Sequence, residues 1–477
     1  MMNKYKKLAF NTMIFAIGGF GSKILALLLT RLYTSNISPA DSSTKELLEI
    51  TANFLLPIFT FSMAEAVIRF GLDNKYKKEE VFSTAVCLNG AGMVLMAMIG
   101  PFLHFIRFLD YIDGYTILLL TFVLCSSLRS LCSQFVRAKG MVKLFSLDGI
   151  LATLSLFVFN IVFISQFHWG VKGFMLASIL SDLCSAVFLF IVAKLDEYTG
   201  LRYYNKRLAT SMMKFAVPLI PTVIMWVITG FSDRLFIRYM HSDRVALGQG
   251  AAGIYGYASK VPNLISMVST IFFSAWNMSA IMENDSEDRS SFYEKVYGAY
   301  ESLLFIASAF LIAGVHIVTP IFVTTKNFGE YGDVYMYTPV LVIAVLFMCL
   351  DQFLSSIYTA TKHTKNSFWT SFVASMANIV LNIALIPEWG IQGACIATFL
   401  SYYLCFWARI IDARYYVPFR FDWMKSFINT AVLLVMCWVI LAKPALYGLW
   451  LVLMVGFVIW SNYKALLTTV QKLLKRA

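Results

Sequence analysis

About fourteen stretches of roughly 20 apolar residues, joined by short polar connections, determine what this chain can fold into. A helix of that length crosses the hydrocarbon core of a bilayer, and the chain is 59% hydrophobic but only 14% charged. We therefore predict an all-α polytopic membrane protein with about 14 transmembrane helices. The predicted spans lie near residues 9–33, 47–70, 81–106, 115–137, 144–165, 170–194, 211–236, 252–280, 296–323, 336–360, 367–386, 391–412, 424–442 and 445–465.

The net charge of +12 comes mainly from basic residues in the connections. We interpret it as membrane topology rather than nucleic-acid binding, because basic connections tend to stay in the cytoplasm. Most of these residues follow even-numbered spans, which predicts that the N and C termini are both cytoplasmic. One group that we assign to a cytoplasmic connection comprises Arg409, Arg414, Arg420 and Lys425.

Two segments of the chain are near copies of each other. HWGVKG at residues 168–173 precedes span 6, and EWGIQG at residues 388–393 precedes span 12. Asn160 in span 5 matches Asn382 in span 11 if one connection is two residues shorter. Six spans per copy is an even number, so the copies share one orientation, as in many secondary transporters. We predict an N-lobe over residues 1–195 (spans 1–6), a C-lobe over 196–415 (spans 7–12), and spans 13–14 with a cytoplasmic tail over 416–477.

Spans 1 and 7 contain residues that weaken a helix. Span 1 carries Gly18, Gly19 and Gly21, and span 7 carries Pro218 and Pro221. Such residues are tolerated within a membrane where a cavity or a neighbouring group satisfies the freed backbone atoms. We interpret them as hinges of cavity-lining helices, with ordinary close helix packing as the alternative.

Charged residues inside the spans indicate a binding site, because each costs about 2.5–3.5 kcal/mol at the centre of a membrane helix. The cations predict an internal surface for an anionic ligand such as a phosphate or pyrophosphate. For Arg31 and Arg234 the alternative is that they reach the headgroups from a span end, and Arg234 is also a candidate partner of Asp233. The candidate ligand-binding cations are Lys23, Arg31, Arg129, Arg234 and Lys260.

Three carboxylates in or near the spans, Glu65, Asp233 and Asp351, have two interpretations. Each is a candidate site for a coupling proton or Na⁺, because a buried carboxylate changes its protonation with its surroundings. Each is also a candidate counter-ion for a neighbouring Lys or Arg. We predict no cofactor, apart from this open coupling to an H⁺ or Na⁺ gradient.

The sequence contains no catalytic or metal-binding constellation that we recognise. It lacks a phosphate-binding P-loop and a dinucleotide-binding glycine motif. Its eight cysteines form no C-x-x-C pair and no Cys/His cluster with metal-ligand spacing. We therefore predict no catalytic residues, no metal site and no enzymatic activity.

Several short motifs follow one another along the chain. They are GFGSK at 19–23, SMAEAVIRF at 62–70, PLIP at 218–221, SDR at 232–234, GIYGYASKVP at 253–262 and IFFSAW at 271–276. Their order and helix placement resemble the multidrug/oligosaccharidyl-lipid/polysaccharide (MOP) exporter superfamily. Within it, the chain is similar to the bacterial Wzx-type polysaccharide flippases.

This resemblance implies a flippase that carries polyprenyl-pyrophosphate-linked oligosaccharide across the bacterial plasma membrane by alternating access of two lobes. Lys23 and Lys260 match positions where related lipid II flippases carry Arg, which implies contact with the pyrophosphate. The implied partners are this lipid, the bilayer and other polysaccharide assembly proteins. A lipid II-type peptidoglycan precursor flippase and a cation-coupled multidrug exporter of the same superfamily are the alternatives. A membrane-embedded glycan polymerase, a different class, requires a large catalytic connection that the sequence lacks.

Overall fold

The computed structural model describes residues 25, 28–73, 75–105, 107–282, 289–361 and 364–474. Within these ranges the chain consists of helices and turns without a strand, as the sequence predicts. Eight of the described helices are long and apolar enough to cross a membrane, or nine if one bent pair counts as a single span. The chain is therefore a multi-pass membrane protein, while the count of fourteen helices stays a prediction.

The α-helices are numbered in chain order. They are α1 (28–36), α2 (Pro39–Phe59), α3 (Met63–Gly71), α4 (Lys78–Ile99), α5 (Thr116–Ala138), α6 (Val142–Asn160), α7 (Gly170–Val192), α8 (Lys206–Ala216), α9 (Ile220–Tyr239), α10 (Gln249–Ala258), α11 (Asn263–Met282), α12 (Arg289–Ala313), α13 (Val315–Phe322), α14 (Val334–Ala360), α15 (Thr364–Tyr416), α16 (Trp423–Ala442) and α17 (Tyr447–Leu474). Short 3₁₀ turns lie at Gly100–Phe105, Arg107–Ile112, Leu195–Tyr198, Leu201–Tyr203, Val217–Leu219 and Gly329–Asp333, and a π-helical turn at Ile161–Gln166.

Several helices begin where local sequence rules place them. The Ser38 hydroxyl accepts a hydrogen bond from the Asp41 amide at 3.1 Å, and Pro39 occupies the first turn of α2. Asn205 caps α8 and Asp422 caps α16 through their side-chain oxygens. These caps satisfy amides that the first turn of a helix leaves without partners.

Large apolar side chains cover much of the molecular surface. Ile117 is 81% exposed, Ile191 is 68% exposed and Val452 is 68% exposed, and each lies in a long helix. A soluble protein rarely exposes a continuous apolar surface on this scale. The exposed side chains therefore fit contact with lipid.

The chain divides into two compact units, residues 1–234 and 235–477, with the boundary inside α9. The core of unit 1 lies among α3, α4, α5 and α8, where the Phe82 ring stacks on Phe135 at 4.4 Å. Unit 2 is built around α14, in which most of the described side chains are buried. The three-part division predicted from the sequence, with boundaries after residues 195 and 415, stays a prediction.

The repeated Trp-Gly segments have the same structural role in both units. Gly170 and Gly390 have φ values of +52° and +57°, which are costly for a residue with a side chain. A Cβ on Gly173 would lie 3.1 Å from the Phe163 carbonyl oxygen, and one on Gly393 would overlap the backbone of the preceding helical segment. The two copies therefore conserve a left-handed turn followed by a close helix approach.

We expect Gly393→Ala to destabilise the protein by about 1–3 kcal/mol, because the added methyl group overlaps the Leu385 carbonyl group. Thermal melting of the purified protein in detergent measures the effect. Gly298→Ala is the control, since no heavy atom lies within 4 Å of its added Cβ. That control should be neutral or slightly stabilising. Equal melting temperatures for the two variants would contradict the close approach at Gly393.

Candidate functional site: broken helices and intramembrane ion pairs

A candidate membrane span of unit 1 is a bent pair of helices, and unit 2 contains a short interruption between two helices. In unit 1, α2 and α3 meet at an angle of 55°, and Phe61 and Ser62 at the break both have φ of +50°. In unit 2, α10 ends at Ala258 and α11 starts at Asn263, so Lys260 and Pro262 lie in the intervening turn. These breaks fall in predicted spans 2 and 8, which occupy equivalent places in the repeat. Sequence analysis missed them, because it associated the interruptions with spans 1 and 7.

The predicted hinge residues lie partly within the described chain. Pro218 lies in the 3₁₀ turn that joins α8 to α9, and Pro221 is the second residue of α9. Both proline side chains are exposed. Span 7 thus changes helix type at Pro218. Four candidate residues of span 1 lie outside the described residues: Gly18, Gly19, Gly21 and Lys23.

Arg129 on α5 lies between two aspartates of unit 1. Its Nη1 donates to Oδ1 of Asp182 on α7 at 2.9 Å, and its Nε lies 3.8 Å from Oδ2 of Asp148 on α6. Ser126 also donates to Asp182, and Ser185 donates to Asp148. The side chains of Asp148 and Asp182 are 2% and 11% exposed. Two buried carboxylates therefore share one guanidinium across three helices.

Asp351 on α14 pairs with Arg409 on α15 in unit 2. Nη1 of Arg409 donates to Oδ2 of Asp351 at 2.9 Å. The side chain of Arg409 is 2% exposed and that of Asp351 is 6% exposed. Nε donates to Thr370 Oγ1 at 2.9 Å, and Nη2 donates to Ser371 Oγ at 2.6 Å and to the Ser367 carbonyl oxygen at 3.0 Å. All three guanidinium nitrogens are thus bonded, which offsets part of the cost of burying the charge.

At corresponding positions of the repeat, one unit carries a cation and the other an anion. Arg129 and Asp351 are separated by 222 residues, the same interval that separates Asn160 from Asn382. Unit 1 therefore carries the cation on α5, with partners on α6 and α7. Unit 2 carries the anion at the equivalent position on α14, with its partner on α15. Each unit therefore joins its own helices by an ion pair, but the cation and the anion have exchanged places between the two units.

The assignment of Arg409 to a cytoplasmic connection is wrong. Its side chain is buried in unit 2, because α15 continues as a helix to Tyr416. Hydropathy alone treats a charge near a span end as a loop residue. The sequence repeat does draw attention to Asp351, the partner of Arg409, because it aligns Asp351 with another charged residue inside a span, Arg129.

Another buried charge, Glu301, lies beside a hydrogen bond that joins α12 to α16. Glu301 is 3% exposed, and the Tyr297 hydroxyl donates to its Oε1 at 3.5 Å. Lys425, in the first turn of α16, supplies an opposite charge, and its Nζ donates to Ser302 Oγ at 2.9 Å. Lys425 therefore contacts a membrane helix instead of lying free in a cytoplasmic connection.

The remaining candidate charges have different surroundings. Arg234 donates from Nε to Oε2 of Glu46 at 3.0 Å and from Nη1 to the Gly230 carbonyl oxygen at 2.6 Å. Glu46 is 4% exposed, and sequence analysis did not identify it. Asp233 is also buried. Two candidate residues are exposed: Arg31 on α1 and Glu65 in the first turn of α3.

Three buried or partly buried arginines differ in their surroundings from Lys260. Arg129, Arg234 and Arg409 bind carboxylates within a unit and hold helices together. Lys260 is partly exposed like Arg129 and Arg234, and it differs from them because it lies where the helical backbone is interrupted. Backbone breaks at membrane depth are tolerated where they line a cavity or pack against protein. Among the described candidates, Lys260 therefore has the most favourable position for an anionic ligand.

Comparison with known sequences finds distant membrane proteins. No family model matches the chain. An uncharacterized membrane protein of Methanocaldococcus jannaschii is 23% identical over 330 residues, which cover 65% of this chain and 75% of that protein. A second uncharacterized membrane protein of the same organism is 20% identical over 258 residues, and the match covers 53% of this chain and 49% of that protein. The chain therefore spans about half the length of this second relative.

Comparison with solved structures identifies the fold. The lipid II flippase MurJ in an inward closed conformation matches with a TM-score of 0.73 at 16% identity, covering 97% of this chain and 100% of that chain. An inward-facing multidrug resistance MATE family transporter of the MOP superfamily matches with a TM-score of 0.65 at 14% identity, covering 84% and 98%. The chain thus has the fold of MOP superfamily transporters.

Proposed function

We propose that the protein is a flippase that moves a polyprenyl-pyrophosphate-linked oligosaccharide across the bacterial plasma membrane, with both termini in the cytoplasm. The observation that carries this proposal is the fold match to a lipid II flippase over 97% of the chain. The multidrug transporter cited above covers 84%.

The intramembrane charges support a ligand with an anionic headgroup. A pyrophosphate with attached sugars does not cross hydrocarbon unaided, so it needs a polar, cationic path, while its lipid tail can stay in the bilayer. Lys260, at the break between α10 and α11, is one proposed contact, and Lys23 is the other. Arg31, Arg129 and Arg234 are the further proposed contacts. Of these, Arg129 and Arg234 reach a headgroup only if their ion pairs open.

In this proposal, the N-lobe and the C-lobe alternate between states open to either side of the membrane. Pro218 and Pro221 act as hinge residues of span 7, with Gly18, Gly19 and Gly21 in the same role in span 1. In the same proposal, H⁺ or Na⁺ ions moving down their transmembrane gradient bind to carboxylates and thereby drive the change between the two states. The proposed carboxylates are Glu65, Asp233 and Asp351, and the alternative role of Asp351 as the counter-ion of Arg409 fits its 2.9 Å contact.

A cation-coupled multidrug exporter is the second candidate function. It is favoured by one observation, the buried cluster in which Asp148 and Asp182 share the single cation Arg129. Such a cluster carries an excess negative charge when both carboxylates are ionised, and binding one cation would neutralise it. A lipid II-type flippase has the same mechanism as the first candidate and differs in the headgroup carried.

Leaflet transfer in liposomes tests the proposal. The purified protein is reconstituted with a fluorescent undecaprenyl-pyrophosphate oligosaccharide, and a membrane-impermeant quencher reports how much of it reaches the outer leaflet. We expect transfer above that of protein-free liposomes. The same assay with fluorescent lipid II distinguishes the two flippases. Export of a drug-like cation without transfer of either lipid, under imposed H⁺ and Na⁺ gradients, would favour the second candidate instead.

A further inference from the structure

Glu301 is a buried acidic residue in the middle of a membrane helix of unit 2. It lies in α12, which is long and apolar enough to cross a membrane, and it is only 3% exposed. An ionised side chain is costly at such a position, so carboxylates inside membrane helices are usually paired with a cation or take part in transport. The function proposed above gives Glu301 no role.

Glu301 lacks the close cation that other buried carboxylates of this protein have. Among the described residues, no nitrogen of a Lys, Arg or His side chain lies within 4.0 Å of its carboxylate oxygens. Three other buried carboxylates each have a guanidinium nitrogen within 3.0 Å. These pairs are Asp182 with Arg129, Asp351 with Arg409, and Glu46 with Arg234.

The hydrogen bonding of Glu301 is also weak for an ionised group. The Tyr297 hydroxyl donates to its Oε1 at 3.5 Å, whereas hydrogen bonds between oxygen atoms are usually about 2.5–3.0 Å long. The other polar side chain that faces the carboxylate is Ser426 on α16. A buried carboxylate that keeps its charge normally accepts several short hydrogen bonds. The surroundings of Glu301 therefore fit the neutral, protonated carboxyl group.

A cation lies beside Glu301 without being bonded to it. Lys425 is in the first turn of α16, and its Nζ donates to Ser302 Oγ at 2.9 Å, one residue along α12 from Glu301. A lysine side chain is flexible and carries three donors, so Lys425 can turn from Ser302 to Glu301. Asp422, whose Oδ1 accepts from the Lys425 amide at 3.0 Å, is exposed. Water therefore reaches the start of α16 beside this pair.

Both charged groups that act on Glu301 come from α16. They are Lys425 and Asp422, and the neighbouring titratable group on α12 itself is Tyr297. The helices α11, α13, α14 and α17 also pack against α12. Among their described residues, none places a charged side chain at Glu301. The charge of Glu301 is therefore governed by competition between a proton and the ammonium group of Lys425.

We propose that Glu301 is a proton-binding site of unit 2. In this structure Glu301 carries the proton, and Lys425 bonds to Ser302. When the proton passes to water at the start of α16, the carboxylate keeps the electron pair of the O–H bond, and Lys425 moves from Ser302 to Glu301. Release of the proton thus creates an ion pair between α12 and α16. The inference rests on the proposed ion-driven transport, and it adds Glu301 to the carboxylates named there.

Infrared difference spectroscopy of the full-length protein in lipid nanodiscs tests this site. Spectra are recorded in a series of buffers from acidic to alkaline, because a protonated carboxyl group has a C=O stretching band that a carboxylate lacks. We expect one such band to disappear as the buffer becomes alkaline, and the same band to be missing from Glu301→Gln in every buffer. Glu301→Asp should retain a titrating band, since it retains the carboxyl group.

Glu388→Gln is the matched control. It makes the same chemical change in the same unit, but the Glu388 side chain is 47% exposed and pairs with Arg244 at the surface. This variant should keep the Glu301 band. Glutamine has the shape and neutrality of a protonated glutamate, so Glu301→Gln should melt at the wild-type temperature. A fixed, ionised Glu301 predicts the opposite, because the substitution would leave Lys425 without its counter-ion.

Three spectroscopic outcomes would overturn the proton site. They are the absence of the band from the wild type, a band that Glu301→Gln retains, and a band that no buffer removes. Leaflet transfer with and without an imposed proton gradient tests the link to transport. The gradient should accelerate transfer by the wild type but not by Glu301→Gln, and a response that this variant keeps would refute the coupling. A titrating Glu301 band in a wild type that transfers neither lipid would refute the flippase alone.

Discussion

Replacing Arg409 with methionine is expected to lower the free energy of unfolding by about 3–5 kcal/mol. The substitution leaves the Asp351 carboxylate inside unit 2 without its cation, and that side chain is only 6% exposed. It also removes the hydrogen bonds that Arg409 donates to Thr370 and Ser371. Unfolding of the purified protein by increasing fractions of SDS, followed by circular dichroism, measures the loss.

A double-mutant cycle distinguishes a broken ion pair from a simple loss of packing. Asp351→Leu combined with Arg409→Met removes both charges, and replacing a buried pair by apolar residues is often nearly neutral. We therefore expect the double variant to be more stable than Arg409→Met alone. If the two single losses simply add, the two side chains do not depend on each other energetically, and the interpretation of this pair is wrong.

A surface ion pair of the same unit provides the matched control. Arg244 pairs with Glu388, but the two side chains are 70% and 47% exposed. Water screens such a pair, so Arg244→Met should change the stability by less than about 1 kcal/mol. The contrast with Arg409→Met would show that burial, rather than the loss of an arginine, causes the large effect.

The general class of the fold follows from sequence because it depends on local patterns. Apolar runs of about 20 residues predict membrane helices regardless of how they pack. The Trp-Gly repeat was also visible, and its glycines have matching roles in the structure, with φ values of +52° at Gly170 and +57° at Gly390. Because a positive φ strongly favours glycine, such a backbone position is recognisable in the sequence as a glycine.

The partners of the charged residues were much harder to predict. Arg129 and Asp182 are 53 residues apart, and Arg234 and Glu46 are 188 residues apart, so each contact depends on tertiary packing. Sequence located the cations and offered Asp233 as a candidate partner of Arg234, but it did not identify Glu46, to which Nε of Arg234 donates. The breaks in spans 2 and 8 were missed for a related reason. A proline is recognisable, but whether its helix bends depends on the neighbours that satisfy the freed backbone groups.

Lys260 is the described residue whose position most directly supports the proposed binding of a pyrophosphate. Its position between α10 and α11 combines a cation with an interrupted backbone, and the side chain is partly exposed. Lysine donates three hydrogen bonds from a compact charge, but it does not bind two phosphate oxygens in the planar geometry of arginine. Charge should therefore matter more at this position than shape.

Lys260→Glu is expected to reduce the initial rate of leaflet transfer at least tenfold, because a close attraction to the pyrophosphate becomes a repulsion. Lys260→Arg should retain transfer, since it retains the charge. Lys295→Glu, on the exposed surface of α12 in the same unit, makes the same change of net charge and should transfer normally. We expect Lys23→Glu to behave like Lys260→Glu.

Melting temperatures near that of the wild type are needed for each variant, so that a loss of transfer reports on the ligand rather than on folding. Substrate dependence then gives the stricter test. If Lys260 contacts the pyrophosphate, the reversal should slow oligosaccharide carriers of different sugar composition by similar factors, because they share the headgroup charge. A Lys260→Glu variant that transfers at the wild-type rate would refute the contact, and a loss confined to one glycan would assign Lys260 to the sugar instead.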